Sequence, residues 1–204
     1  MQDRASIAIV LLAAGAASRF GSPKQIASIG ERAMVRHCAI NALGTRAPVL
    51  VVTGAHRDAV ETALGGLHVA LVHNPDWSTG MGASIACGVR AARKRNAALR
   101  GVLVALADQP SVSTDNLAML LREHVQTPDN IVASRFGERL GAPCVFPASC
   151  FEELENLNGP SGARGVIERH GDLCRAVEVP AAANDIDTRE DYRLFVEQAG
   201  LPHS

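Results

Sequence analysis

Apolar residues in this chain fall in short unbroken blocks, separated by stretches in which they recur at helical spacing. Residues 6–13, 48–53, 68–73 and 102–106 are blocks rich in Val, Leu, Ile and Ala. Blocks that do not alternate with polar residues mark strands covered on both faces, as in a parallel sheet with helices on either side. Helical spacing predicts a helix over 31–43, with Met34, Val35, Cys38 and Leu43 facing inward, and another over 56–64. A third covers 83–95, where Ile85, Ala86, Val89 and Ala92 share a face. A fourth covers 114–126, with Ser113 as its cap and Leu117, Leu120, Leu121 and His124 on one face. Strands follow at 130–134 and 143–146 around an exposed turn, then short helices at 151–157 and 163–170, a strand at 174–179 and a closing helix at 189–198. No internal repeat or low-complexity linker interrupts this order. It predicts an α/β fold, a doubly wound and mostly parallel sheet with helices on both faces, in a single domain over 1–204.

Ligands of such sheets bind outside the carboxyl ends of the strands, and the unusual residues of this chain lie there. The first strand runs into Leu12-Ala13-Ala14-Gly15, followed by Arg19, Gly21 and Pro23-Lys24-Gln25. Small residues let backbone N–H groups approach a phosphate, while Arg19 offers a planar fork of donors and Lys24 a mobile point charge. The loop is neither a P-loop, because Lys24 follows a proline and precedes a glutamine, nor a dinucleotide fingerprint, because only Gly15 and Gly21 are available. It also reads as a strand-to-helix turn with two solvated cations. Thr53-Gly54 follows the second strand. Asn74 to Ser84 follows the third, and its Gly80-Met81-Gly82-Ala83-Ser84 opens a helix that can hold an anion or simply begin there. Trp77 either walls a pocket or covers the loop, and His73 is a cleft residue or a structural histidine.

Asp108 stands after the apolar run 102–107, where an acid costs desolvation unless it is paired or holds an ion. Mg²⁺ fits, since it takes one or two carboxylates and completes its shell with water and phosphate oxygens. The alternative is an acid that accepts backbone N–H groups in a turn before Pro110. Asp185 and Asp187 sit at extended spacing that puts both carboxylates on one face. Asp187 is then a metal ligand or the N-cap of the last helix.

Composition narrows the function. Lys and Arg total 20 against 21 Asp and Glu, and the one basic cluster, Arg93-Lys94-Arg95, suits a solvated helix end. A nucleic-acid polymer is therefore excluded as a partner, while small anions are not. With 3% aromatics the core is aliphatic, with no stacking platform for bases. The five scattered cysteines, Cys38, Cys87, Cys144, Cys150 and Cys174, read as small packing residues in a reducing, cytoplasmic setting. No apolar run approaches the roughly 20 residues of a membrane span. Arg4, the run 7–14 and Ala14-Gly15-Ala16 imitate a secretory signal, but the run reads equally as a buried strand.

Taken together, Leu12-Ala13-Ala14-Gly15, Arg19-Phe20-Gly21 and Pro23-Lys24-Gln25 resemble the signature of nucleotidyltransferases with a nucleotide-diphospho-sugar-transferase-like fold. Gly80-Met81-Gly82-Ala83-Ser84, Asp108-Gln109-Pro110 and Asp185-Ile186-Asp187-Thr188 resemble its molybdenum cofactor cytidylyltransferase branch, as do Gly141-Ala142-Pro143 and Gly162-Ala163-Arg164-Gly165. The likeness runs from about residue 7 to 192. It implies a Mg²⁺-dependent transfer of CMP from CTP to the phosphate of molybdopterin, with release of pyrophosphate. GTP, another phosphorylated acceptor, or a non-catalytic binding relative are the alternatives. In that likeness Arg19, Lys24 and Asp108 are catalytic. Leu12, Ala13, Ala14 and Gly15, together with Thr53, Asn74, Gly80, Gly82 and Ser84, contact the nucleotide, and Asp108 and Asp187 hold the metal. Ala14 stands where guanylyl-transferring relatives usually carry Gly, which points to cytidine. The partners implied are CTP, molybdopterin and a molybdoenzyme or its maturation chaperone. Ala17 and Ala107 depart from the pattern, where many relatives have Gly.

Overall fold

The first strand of the computed structural model, β1 (Ile7–Ala13), is buried along its whole length. Residues 6–160 and 162–201 are described, so Arg4 of the signal-like pattern lies outside them. The strands are β1, β4 (Val49–Thr53), β5 (Ala70–His73), β6 (Gly101–Leu106), β7 (Ile131–Phe136), β8 (Arg139–Pro147) and β9 (Cys174–Glu178), in the spatial order β5-β4-β1-β6-β8-β7-β9. β1 pairs in parallel with both β4 and β6, and β8 runs antiparallel to β6 and β7. The doubly wound, mostly parallel arrangement expected from the pattern is what forms.

Alternate residues of β1 feed opposite layers. Ile7, Ile9 and Leu11 pack with Val35, Ala39, Leu117 and Leu120 of α1 (Met34–Gly44) and α4 (Thr114–Gln126). Ala8, Val10 and Leu12 pack with Ile85 and Val89 of α3 (Met81–Arg95), and with Leu154 and Val166 of α5 (Phe151–Glu155) and α6 (Arg164–Arg169). Helix α2 (Arg57–Ala63) adds Val60 to the first layer. A third, small cluster joins Phe20, Ile29, Met34 and Ile186 with Tyr192 and Phe195 of α7 (Arg189–Gln198).

Three expectations change. The helix expected from residue 31 begins at Met34, because residues 28–33 form a two-stranded antiparallel ribbon, β2 (Ser28–Ile29) and β3 (Arg32–Ala33), turned at Gly30 with φ 60°. Strand β5 is not covered on both faces; it is an edge strand, and Leu71 and His73 are exposed. Thr188, not Asp187, caps α7: its hydroxyl accepts from the Asp191 N–H, and the Asp191 carboxylate accepts from the Thr188 N–H.

Candidate active site

The chain leaves β1 to build β4 on one side and later returns to build β6 on the other. The crevice between the carboxyl ends of β1 and β6 is therefore the switch point where ligands bind in such sheets. A cleft of ≈ 340 Å³ opens there, a volume typical of small-molecule sites. Its floor is Leu12, Ala13, Ala14 and Gly15, one wall holds Arg19, Lys24, Asp108 and Asp187, and Trp77, Gly80, Met81 and Ser84 form the other.

The charged wall is tightly paired. Lys24 Nζ donates to Asp108 Oδ2 at 2.7 Å and to Asp187 Oδ1 at 2.8 Å. Arg19 Nη2 donates to Asp187 Oδ2 at 2.8 Å. The Lys24 side chain is 11% exposed and that of Arg19 is 71% exposed, so the lysine is enclosed while the arginine, though paired, is open to solvent. Burial disfavours the Lys24 ammonium, but pairing with Asp108 and Asp187 outweighs it and holds its pKa above the usual lysine value. Burial likewise opposes ionisation of Asp187, yet the bonds from Lys24 and Arg19 hold it below the usual carboxylate value.

Two glutamines escaped the sequence analysis as site residues, and each adjoins a charged one. Gln25 is 3% exposed and donates to the Gly15 carbonyl at 2.6 Å, fixing the floor of the loop beside Lys24. Gln109, also 3% exposed, donates to Asp185 Oδ1 at 2.8 Å and to the Ala182 carbonyl at 3.0 Å. The Ile186 N–H donates to the Asp108 carbonyl at 2.9 Å, so the segment carrying Asp187 is docked on the Asp108-Gln109 turn. The signal available in the sequence was a long amide placed directly after Lys24 and directly after Asp108.

Asp185 and Asp187 take different partners: Asp185 accepts from Gln109, and Asp187 accepts from Lys24 and Arg19. Three of the expected nucleotide contacts are not among the residues that line the cleft. Thr53 is fully buried, with its hydroxyl 3.4 Å from Glu61 Oε1. Asn74 is buried behind the cleft, where its amide donates to Ser84 Oγ at 3.1 Å. Gly82 serves packing: a Cβ there would lie 2.8 Å from the Asn158 carbonyl oxygen. Gly80 lines the cleft at φ 127°, and a Cβ would lie 2.4 Å from the backbone of Gly159. Trp77 walls the cleft, and His73 is exposed away from it.

The acids suit a hard divalent cation. Asp108 Oδ1 is buried and has no hydrogen-bond partner. Among the described residues no group of three or more His, Cys, Asp or Glu surrounds a metal position. Two carboxylates are what Mg²⁺ uses when water and substrate phosphates supply the remaining ligands.

Residues 9–173 match the model of the MobA-like NTP transferase domain. The chain belongs to the MobA-like NTP transferase family. This MobA-like chain is 33% identical to nicotine blue oxidoreductase of Paenarthrobacter nicotinovorans, over 91% of its own length and 95% of the relative's. It is 30% identical to purine catabolism protein PucB of Bacillus subtilis, over 91% and 93%. A Mycobacterium tuberculosis H37Rv protein crystallised in complex with manganese superposes with a TM-score of 0.76 at 26% identity, covering 94% of this chain and 98% of that one. The MobA-like family is one of nucleotidyltransferases, and among the described residues no helix is long and apolar enough to cross a membrane.

Proposed function

We propose that this protein transfers the CMP moiety of CTP to the terminal phosphate of molybdopterin and releases pyrophosphate. One observation carries the proposal: the two cations of the loop after β1 converge on the two carboxylates Asp108 and Asp187 inside the switch-point cleft. That is the equipment of phosphoryl transfer, in which positioning and charge neutralisation do most of the catalysis. An acceptor phosphate is already ionised, so its oxygen attacks the α-phosphorus without a strong base. The new P–O bond forms as the bond to the bridging oxygen of the β-phosphate breaks. Arg19 and Lys24 stabilise the charge gathering on the phosphates, and the backbone from Leu12 to Gly15 lines the base and ribose. Asp108 and Asp187 would hold Mg²⁺, which when bound neutralises charge on the triphosphate. Ala14 in Leu-Ala-Ala-Gly supports cytidine. We place the reaction in the cytoplasm, in keeping with five unpaired cysteines, with a molybdoenzyme or its chaperone receiving the product.

The names of the relatives leave the acceptor open, so the test is broad. α-Labelled CTP, GTP and ATP are each offered with molybdopterin and with a panel of sugar and polyol phosphates in Mg²⁺. Label should pass from CTP to molybdopterin with one pyrophosphate per transfer, and Asp108→Ala should lose on the order of 10²–10³ in turnover. Oxidoreductase activity without label transfer, or transfer only to another acceptor, would overturn the assignment. Near-full turnover by Asp108→Ala would remove the metal role.

A further inference from the structure

Lys24 occupies the position that a shared cation needs. Its Nζ lies 2.7 Å from one carboxylate and 2.8 Å from the other, so a single ammonium bridges Asp108 and Asp187. The second oxygen of Asp187 is taken by Arg19. The pair of acids is thus balanced by two cations, and a divalent ion entering between the acids would meet the ammonium at like-charge contact range.

We infer that Lys24 is a resident counter-ion that keeps divalent metal off the Asp108–Asp187 pair until the phosphates of the nucleotide draw it away, so that metal and nucleotide load together. The use of nucleotide rests on the function proposed above; the exclusion of metal by Lys24 does not. Three features of the chain support it. Lys24 and Arg19 belong to one loop that lines the cleft, so an entering polyphosphate meets both at once. Lysine carries its charge on a flexible four-carbon stem, which lets the ammonium pass from carboxylate to phosphate without moving the backbone. Asp108 keeps a buried oxygen that the ammonium does not use, an acceptor left over for a cation with more ligand positions. The nearest further acid, Asp185, accepts from Gln109, and among the described residues no three acids, histidines or cysteines are placed to hold a metal, so the pair gains its remaining ligands only when phosphate oxygens arrive.

The test uses Mn²⁺ without nucleotide and follows the free-ion EPR signal. Wild-type protein should bind Mn²⁺ weakly, and Lys24→Arg, which preserves the cation, should do the same. Lys24→Met should bind it about tenfold more tightly or better, once the like charge is gone. Lys24→Gln, which keeps much of the stem and one hydrogen bond, is the second neutral variant should the methionine fail to fold. Adding Asp108→Asn to either should abolish the gain, which locates the ion at the acid pair. Equal Mn²⁺ affinity in wild type and the neutral variants would overturn the inference, as would a gain that survives Asp108→Asn. Label transfer is scored separately, so failure of the proposed reaction and failure of the counter-ion role give different results.

Discussion

Ala17 holds φ 54°, in the left-handed region where a Cβ crowds the neighbouring carbonyl. It sits in the loop after β1 at a position where the family resemblance expects Gly, so the loop keeps a glycine conformation with an alanine in it. Ala17→Gly should therefore gain up to about 1 kcal/mol, the relieved strain less the extra freedom of Gly in the unfolded chain. Urea denaturation reads this directly, and a clear loss of stability would contradict it. Asp187 gives a prediction in pH. Its folded-state pKa lies below its unfolded value near 3.8, so its contribution is fully present above that value and disappears as pH falls through the lower, folded one. In chelator, the stability gap between wild type and Asp187→Asn should stay level from pH 7 to about 5 and close only in strong acid. The gap should be small, because 35% of the side chain is exposed. A gap that closes near neutrality would contradict the pairing. Lys24, Arg19 and Asp108 were legible as charged residues at strand ends. That Lys24 bridges acids 84 and 163 residues away was not, because nothing local records it.

Helix starts decide much of the site's shape. Thr188 caps α7 and leaves Asp187 free to face Lys24. Thr188→Ala should cost about 1 kcal/mol and weaken nucleotide binding as well, since the Asp187 N–H also donates to the capping carboxylate of Asp191. Unchanged nucleotide affinity in a destabilised Thr188→Ala protein would separate the cap from the site. At α3 the glycines serve the approach of two loops. Gly82 N–H donates to the Gly159 carbonyl at 3.0 Å, and neither Gly80 nor Gly82 has room for a Cβ. The sequence pattern located α4 and its Ser113 cap because periodicity and capping agree there. It missed the ribbon at residues 28–33, because strands of two residues are too short to carry a period. It also could not show that β8 runs antiparallel, because an apolar block reports burial and not direction.

Across the whole molecule, the loop after β1 is held by the last helix. The Phe20 and Tyr192 rings meet edge to face at 5.9 Å, and Arg189 Nε donates to the Phe20 carbonyl at 3.2 Å. The Tyr192 hydroxyl donates to the Ser28 carbonyl at 2.6 Å. Tyr192→Phe keeps the ring contact and removes that bond. It should cost about 1 kcal/mol and raise the KM for nucleotide more than it lowers kcat, measured by pyrophosphate release; an unchanged KM would show that the clasp does not govern the loop. Two central layers each take one face of β1, and the third cluster meets them through α1, which gives Val35 to the first layer and Met34 to the third cluster.

The order of the sequence sets a timetable for the growing chain. The loop with Lys24 is synthesised long before Asp187, 163 residues later. Until residues 186–198 have emerged and α7 has docked, the loop lacks both its clasp and its second acid. A chain that ends before Asp187 therefore carries the two cations of the loop without the second acid they meet, and the charged wall of the cleft is completed by the segment that leads into the last helix described.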